Sequence, residues 1–449
     1  MPLSVMSGMK KWRVDLLVVL IYLGAVLLFG HHTIDYRVDD AFITYRYSWN
    51  LGRHGEFVYN RGQRILATSS PLNAVILAPF ASIVSHRQIL PLIAKVLSIA
   101  SALCTALFVY FFIRRRRGFA EGLVLSSPFV LLSHVYVYAG LETNLFVGLL
   151  IVAVASLVSR RYYLAGLIVG LAYWARADSA LMLVLFGMYV SLFEEAKSLE
   201  NLKSLGIGAA SILLPSFLAC YLYFGTVLPS TLGTKMFQGR TRMFSPPILE
   251  SILISWGPEI LSDFHAFNLS LGIFAGLFIY QQLKRLHHRK KIDGINLFIL
   301  FLVAFGFLQA WAYTLFGVGS NYRWYQVPLM LSYVFGLFGF VLMLRSSMKR
   351  GGQCISITLL LLVVFINMSS RLIAPPWSGS LGDTYIRIAN YLNASTDPVD
   401  LVGLGETGII GYYLEREVFD YFGVVTPWWV GELSGQYPGQ WSGPKQAAL

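Results

Sequence analysis

The chain has 449 residues, 56% of them hydrophobic and only 13% charged, with a mean hydropathy of +0.61. Soluble domains carry about 25% charged residues, so this composition excludes a water-soluble globular protein, a disordered chain, a coiled coil and a small disulfide scaffold, and requires a bilayer. The net charge of +12 would suggest nucleic acid in a soluble protein. In a membrane protein its division between the two sides matters more, and no nucleic-acid partner is expected.

In chain order, the apolar run Leu16–Gly30 follows Lys10, Lys11 and Arg13 and lacks a small-x-small cleavage site. It reads as a retained signal anchor with a cytoplasmic N-terminus. Further apolar runs follow at 90–113, 120–138, 142–159, 163–175, 177–193, 206–224, 268–283, 294–316, 327–344 and 353–370. The run Leu72–Val84 is shorter. If it does not cross, Arg114–Arg117, Arg160/Arg161, Lys197/Lys203, the 284–291 cluster and Arg345/Lys349/Arg350 all fall on the inner side with the N-terminal cations; if it crosses, Arg114–Arg117 lands outside, against the positive-inside rule. Leu72–Val84 is therefore assigned to an interfacial or re-entrant helix, leaving about eleven crossings. The inner face then carries about +13 and the outer face about −1.

The expected fold is an all-α polytopic membrane protein with about eleven transmembrane helices over residues 1–370 and a small α/β extracytoplasmic domain over 371–449. The first outer loop spans about residues 31–88. The tail alternates in type, with a helix at Tyr385–Asn393, a strand at Val399–Leu404, a helix at Gly408–Leu414 and a strand at Glu417–Tyr421. Cys104, Cys220 and Cys354 sit singly in apolar runs and read as small buried hydrophobes. No fixed-period repeat is present, and paired broken helices, the mark of many transporters, are not seen in both halves.

Chemistry-bearing residues gather on the outer side. Asp39 and Asp40 open a helix over about Ala41–Leu51, where either makes a good N-cap. Helical spacing puts Asp39, Arg46 and Asn50 on one face, and Asp40, Thr44 and Tyr47 on its neighbour. One reading is a capped interfacial helix with a solvated acidic end. The other is a general base beside a phosphate site: group transfer from a lipid phosphate needs a carboxylate for the acceptor proton and cations for the phosphate. Glu142 begins a crossing, either as an acid favoured by the helix dipole or as an orienter of a substrate hydroxyl. Arg176 and Asp178 break an apolar run, as a private ion pair or as the lining of a polar cavity. Lys235, Arg240 and Arg242 form a phosphate clamp or a set of surface cations. Arg323 and Tyr325, in Asn321–Pro328, bind phosphate or sugar or belong to an aromatic belt. Trp377, Trp428, Trp429 and Trp441 suit sugar stacking or the lipid boundary, and Asn268 and Asn393 start outward glycosylation sequons.

The acidic pair directly after the first crossing, followed by Arg46, Tyr47, Asn50, Gly55 and Asn60-x-Gly62, resembles the GT-C superfamily of glycosyltransferases that use polyprenyl-phosphate sugars. Within it the loop is most similar to the terminal β-1,2-arabinofuranosyltransferases of actinobacterial cell-wall synthesis. The likeness extends through Gly140-Leu-Glu142-Thr, Arg176-Ala-Asp178, Arg323 to Pro328, and Gly408-x-Ile410-Gly-Tyr-Tyr413 with Arg416-x-Val-x-Asp420. It implies a base in the acidic pair and a polyprenyl-phosphate donor entering from the outer leaflet. The acceptor would be a cell-envelope glycan, glycolipid or protein, and the setting the plasma membrane. Two departures, Leu66-Ala-Thr-Ser-Ser-Pro71 and Ala177 between Arg176 and Asp178, bear on donor or acceptor choice. On this reading Asp39 is the base and Asp40 orients the acceptor or Asp39. Arg46, Lys235 and Arg323 are candidates for the phosphate, and Glu142 and Asp178 for sugar hydroxyls or structural pairing. No cofactor is required, although two adjacent carboxylates can hold a divalent ion. The alternative function is a flippase or transporter of lipid-linked sugars.

Overall fold

The computed structural model describes residues 3–33, 35–131, 140–194, 197–240, 263–288, 290, 292–319, 322–345 and 380–429. The chain begins with α1 (Leu3–Thr33), α2 (Asp39–His54), α3 (Pro71–Ile83), α4 (Ile89–Arg117) and α5 (Phe119–Leu131). It continues with α6 (Thr143–Val158), α7 (Tyr162–Ala175), a 3-10 turn (Ala177–Ser179), α8 (Ala180–Phe193) and α9 (Ser198–Phe224). Next come α10 (Ser230–Arg240), α11 (Asp263–His287), α12 (Gly294–Phe316), a second 3-10 turn (Arg323–Gln326) and α13 (Val327–Arg345). The C-terminal segment adds α14 (Ser380–Ser395), β1 (Leu401–Leu404), α15 (Ile409–Tyr413) and β2 (Glu417–Asp420), with β1 and β2 parallel and Leu401 opposite Glu417.

Among the described residues, four helices are long and apolar enough to cross a membrane, namely Ile89–Arg117, Ser198–Phe224, Gly294–Phe316 and Trp324–Leu344, and five shorter apolar helices accompany them. The chain is thus a multi-pass membrane protein. The run expected at 353–370 lies outside the described residues. At thirteen residues, α3 reaches only about 20 Å, short of the roughly 30 Å hydrocarbon core. It buries Ala74, Leu77 and Ala81 and exposes Val75, Phe80 and Ile83, as a helix lying along a surface does.

The main core draws on every long helix of the bundle, from Val18 on α1 to Phe338 on α13. Helices α7 and α9 meet at backbone distance: a Cβ on Gly166 would lie 2.0 Å from the Leu205 carbonyl oxygen, and one on Gly208 would lie 2.1 Å from that of Tyr163. Small residues allow such an approach where lipid offers no competing hydrophobic force. Cys104 is exposed and Cys220 half-buried, correcting the expectation that they fill the core; the outer surface of a bundle in lipid is itself apolar.

Two further cores sit where the first loop meets the C-terminal segment. One packs Ala41, Phe42, Tyr45 and Leu77 against Ile409 and Tyr412; the other packs Ile43, Tyr47, Tyr59 and Ala67 against Leu404, Leu414 and Val418. The expected helix–strand–helix–strand order of the tail is observed with its ends moved by a few residues, and the segment is joined to the first loop by shared apolar contacts.

Candidate active site

Neither acid caps α2. Val38 holds the cap position without a side-chain bond, and Asp39 and Asp40 lie in the first helical turn, correcting the N-cap expectation. Asp39 turns instead to the C-terminal segment: its Oδ2 accepts from the Gly408 N–H at 2.8 Å and its Oδ1 from the Ile409 N–H at 2.7 Å. Position 408 admits only glycine, because a Cβ there would lie 1.9 Å from the Asp39 carbonyl oxygen. Beside it, the Tyr59 hydroxyl donates to the Thr407 carbonyl at 2.5 Å, and the Glu406 carboxylate hydrogen-bonds Asp39.

Burial, reinforced by the Glu406 and Asp40 carboxylates, pushes the Asp39 pKa up to about 7, against the stabilising backbone bonds. Burial and the Asp40 charge likewise raise that of Glu406. In the folded chain Asp39 thus keeps a proton that the unfolded chain releases near pH 4, so stability declines as pH rises from about 4 to 7. The thermal midpoint of the detergent-solubilised protein is expected to fall by several degrees between pH 5 and pH 8, and Asp39→Asn is expected to flatten that slope. An unchanged slope in the variant would remove Asp39 as its source.

Asp40 looks the other way. Its Oδ2 lies 3.2 Å from Lys235 Nζ, with the Asp40 side chain 32% exposed and that of Lys235 only 7%. Lys235 also donates to the Tyr325 hydroxyl at 2.7 Å, and its ammonium sits 4.4 Å from the Tyr322 ring centroid and 4.7 Å from that of Tyr325. Burial alone would lower its pKa, but Tyr325 and Asp40 more than offset this and hold the amine protonated. The two carboxylates do not form a divalent-cation site: both Asp39 oxygens accept backbone N–H groups, and an ammonium already fills the cationic position beside Asp40. Among the described residues no group of three His, Cys, Asp or Glu side chains could hold a metal ion.

Arg46 and Asn50, expected at the substrate, are committed to the protein. The buried Arg46 guanidinium donates to the carbonyls of Tyr59 at 2.8 Å and Arg416 at 2.9 Å, to that of Gly411, and to Asn60 Oδ1 at 3.3 Å. Asn50 gives its amide to the Val58 and Tyr59 carbonyls, each at 2.9 Å. The C-terminal segment covers Asp39 and Arg46, and the first loop's own Val58–Tyr59 backbone covers Asn50. Asn393 is similarly occupied, donating to the Tyr413 carbonyl and accepting from the Glu415 N–H.

A cavity of about 270 Å³ opens beside Lys235, with Leu181, Leu228, Leu232 and Phe316 in its walls and Arg176, Asp178, Tyr313 and Tyr325 as its polar end. Arg176 and Asp178 form a fork, at 2.7 Å between Nη2 and Oδ2, with both side chains under 5% exposed. They are at once an ion pair and part of the cavity lining. Arg176 stacks on Tyr325 at 4.4 Å and reaches the Trp324 carbonyl; Asp178 accepts from the Tyr313 hydroxyl at 2.8 Å and from the Gln309 amide. Glu142 is buried at 3% exposure, and its Oε1 has no hydrogen-bond partner; it interacts electrostatically with Arg176, Lys235 and Asp40. The backbones of Arg240 and Arg323 lie on α10 and the second 3-10 turn, and their side chains fall outside the described set.

Sequence reading passed over Gln309, Tyr313 and Glu406. Gln309 and Tyr313 lie four residues apart in an apolar helix, and that spacing is a readable signal. Glu406 carries none, because its partner is Asp39, 367 residues away by their numbers.

No known family's sequence pattern matches the chain, and no curated protein matches it in sequence. It does superpose on the oligosaccharyltransferase of Archaeoglobus fulgidus, crystallised with zinc and sulfate, with a TM-score of 0.57 at 12% identity over 91% of this chain and 62% of that one. The two share a fold. The chain spans just under two thirds of the archaeal protein's length. Looser superpositions are found with the A. fulgidus oligosaccharyltransferase AglB in complex with an inhibitory peptide and a dolichol-phosphate (TM-score 0.48, 10% identity, 89% of this chain and 64% of that). The same holds for ArnT from Cupriavidus metallidurans bound to undecaprenyl phosphate (TM-score 0.49, 13% identity, 94% and 91%).

Proposed function

We propose that the protein is a GT-C-type membrane glycosyltransferase that moves a sugar from a polyprenyl-phosphate donor to a glycan, glycolipid or protein acceptor on the extracytoplasmic side, with inversion. The observation that carries this is the Asp40–Lys235 pair, whose lysine lines a largely apolar cavity together with Arg176 and Asp178. A partly exposed carboxylate is what an incoming hydroxyl requires, a buried ammonium and guanidinium are what a phosphate requires, and apolar walls are what a prenyl chain requires. The fold shared with the archaeal oligosaccharyltransferase supports the reading.

In the proposed reaction the base role passes from Asp39 to Asp40, because Asp39 has both oxygens in backbone hydrogen bonds. Asp40 takes the acceptor proton and the acceptor oxygen bonds to the anomeric carbon. The carbon–oxygen bond to phosphate breaks, its electron pair leaving with polyprenyl phosphate, which Lys235 and Arg176 stabilise. Glu142, with an unpartnered buried oxygen, orients a sugar hydroxyl; Tyr325 holds Lys235, and Asp178 holds Arg176. Arg240 and Arg323 are further phosphate cations. About eleven crossings, a cytoplasmic N-terminus, plasma-membrane residence and a domain boundary near residue 370 complete the proposal, and arabinofuranose is the proposed donor sugar. A panel of radiolabelled polyprenyl-phosphate sugars, arabinofuranose included, tests it: a new glycosidic bond is expected with one donor. Movement of labelled lipid across vesicles with no bond formed would overturn it in favour of a flippase.

A further inference from the structure

Helix α10 presents two polar faces with different partners. Thr231, Leu232 and Lys235 line the cavity. Ser230 and Thr234, one turn apart on an adjoining face, are bound to the C-terminal segment: Ser230 Oγ donates to the Val424 carbonyl and Thr234 Oγ1 to the Gly423 carbonyl, each at 2.9 Å. Ser230 is further tied to the first loop through its N–H to the Leu66 carbonyl at 2.8 Å. The turn that receives α10 is built by Asp420, a fully buried carboxylate at the end of β2. It accepts from the N–H groups of Phe422 at 2.8 Å, Val424 at 2.5 Å and Val425 at 3.0 Å, while the Thr426 hydroxyl donates to its carbonyl at 2.7 Å. From the same end of that parallel two-stranded sheet, just past Leu404, the Gly408–Ile409 backbone grips Asp39, the neighbour of Asp40. One compact segment therefore holds both halves of the Asp40–Lys235 pair.

We propose that the C-terminal segment sets the separation of the base and the phosphate-binding cation, with Asp420 and Thr234 as positioning residues that act through Lys235. This rests on the reading of the cavity as a polyprenyl-phosphate site. The physical argument is that a lysine side chain samples many rotamers unless both ends are held. Its head is held by Asp40 and an aromatic cage, and its backbone is held only as firmly as α10, whose described side-chain hydrogen bonds to other elements run from Ser230 and Thr234, in the turn before Lys235, to the 420–426 turn and Leu66, and from Gln238, in the turn after it, to the Tyr322 hydroxyl. A shift of about 1 Å in such a group is enough to cost roughly 100-fold in a preorganised site.

The test uses the full-length protein in detergent with undecaprenyl phosphate as the probe, its binding measured by native mass spectrometry. Thr234→Val removes one hydroxyl at nearly constant shape. It is expected to weaken undecaprenyl phosphate binding about tenfold with the thermal midpoint unchanged, Thr234→Ser is expected to restore it, and Asp420→Asn is expected to weaken it at least as much. Rescue by serine is the readout that a purely structural role would not produce. If Thr234→Val and Ser230→Ala bind like wild type while Lys235→Met does not, the positioning role falls and the cavity reading stands. If the wild-type chain itself fails to bind the lipid phosphate, both fall.

Discussion

Asp40→Asn is expected to lower kcat/KM for sugar transfer by about 10²- to 10⁴-fold, the range that a positioned general base contributes, while undecaprenyl phosphate binding persists. Asparagine keeps the shape and one acceptor oxygen for Lys235, so the 3.2 Å contact survives as a hydrogen bond and the chain is expected to fold. What is lost is the ability to take a proton. Asp39→Asn provides the contrast: one oxygen that receives a backbone N–H becomes an amide that repels it, so its main effect is expected on stability. Steady-state kinetics and thermal unfolding on both variants separate the roles. A fully active Asp40→Asn enzyme would end the assignment, and an inactive but undestabilised Asp39→Asn enzyme would return the base to Asp39.

Lys235→Met is the second large effect. The variant keeps the length and apolar stem of the side chain but deletes a charge that meets Asp40, Tyr325 and the faces of two tyrosine rings. A preorganised donor aimed at developing negative charge is typically worth about 10²–10³ in rate, and that loss is expected in kcat/KM together with weakened lipid-phosphate binding. Lys235→Arg is expected to rescue little, because a flat, forked guanidinium does not fit a cage shaped around a compact ammonium. Wild-type kinetics in either variant would show that the phosphate is held elsewhere.

Much of the fold is legible in the residue order. Hydropathy located the helices at 90–113, 142–159, 163–175 and 294–316 to within a few residues of α4, α6, α7 and α12, because an apolar helix in lipid satisfies its own backbone and needs no partner to be recognised. Charge arithmetic kept Leu72–Val84 from being read as a crossing, and the segment forms the thirteen-residue helix α3. The tail's alternation of types is also local information, carried by β-branched runs and helical periodicity.

The site was only half legible. Asp39, Asp40, Glu142, Arg176, Asp178, Lys235 and Tyr325 were all picked out, since ionisable residues beside apolar runs are costly and therefore stand out. Their pairing was not. Two adjacent aspartates look alike in a sequence, yet one is bound by the backbone of Gly408 and Ile409 and the other faces Lys235.

Composition and pattern by themselves determined that this chain lives in a membrane as a bundle of helices with a small mixed α/β tail, because burial of apolar surface and backbone self-satisfaction act over a few residues at a time. Tertiary structure alone decided that Arg46 is a brace, that Asp39 is an anchor, and that Lys235 meets Asp40. Each of those facts is a hydrogen bond or ion pair between residues far apart in the chain, and a contact of that kind is specified by the packing of whole elements, which no local spacing encodes.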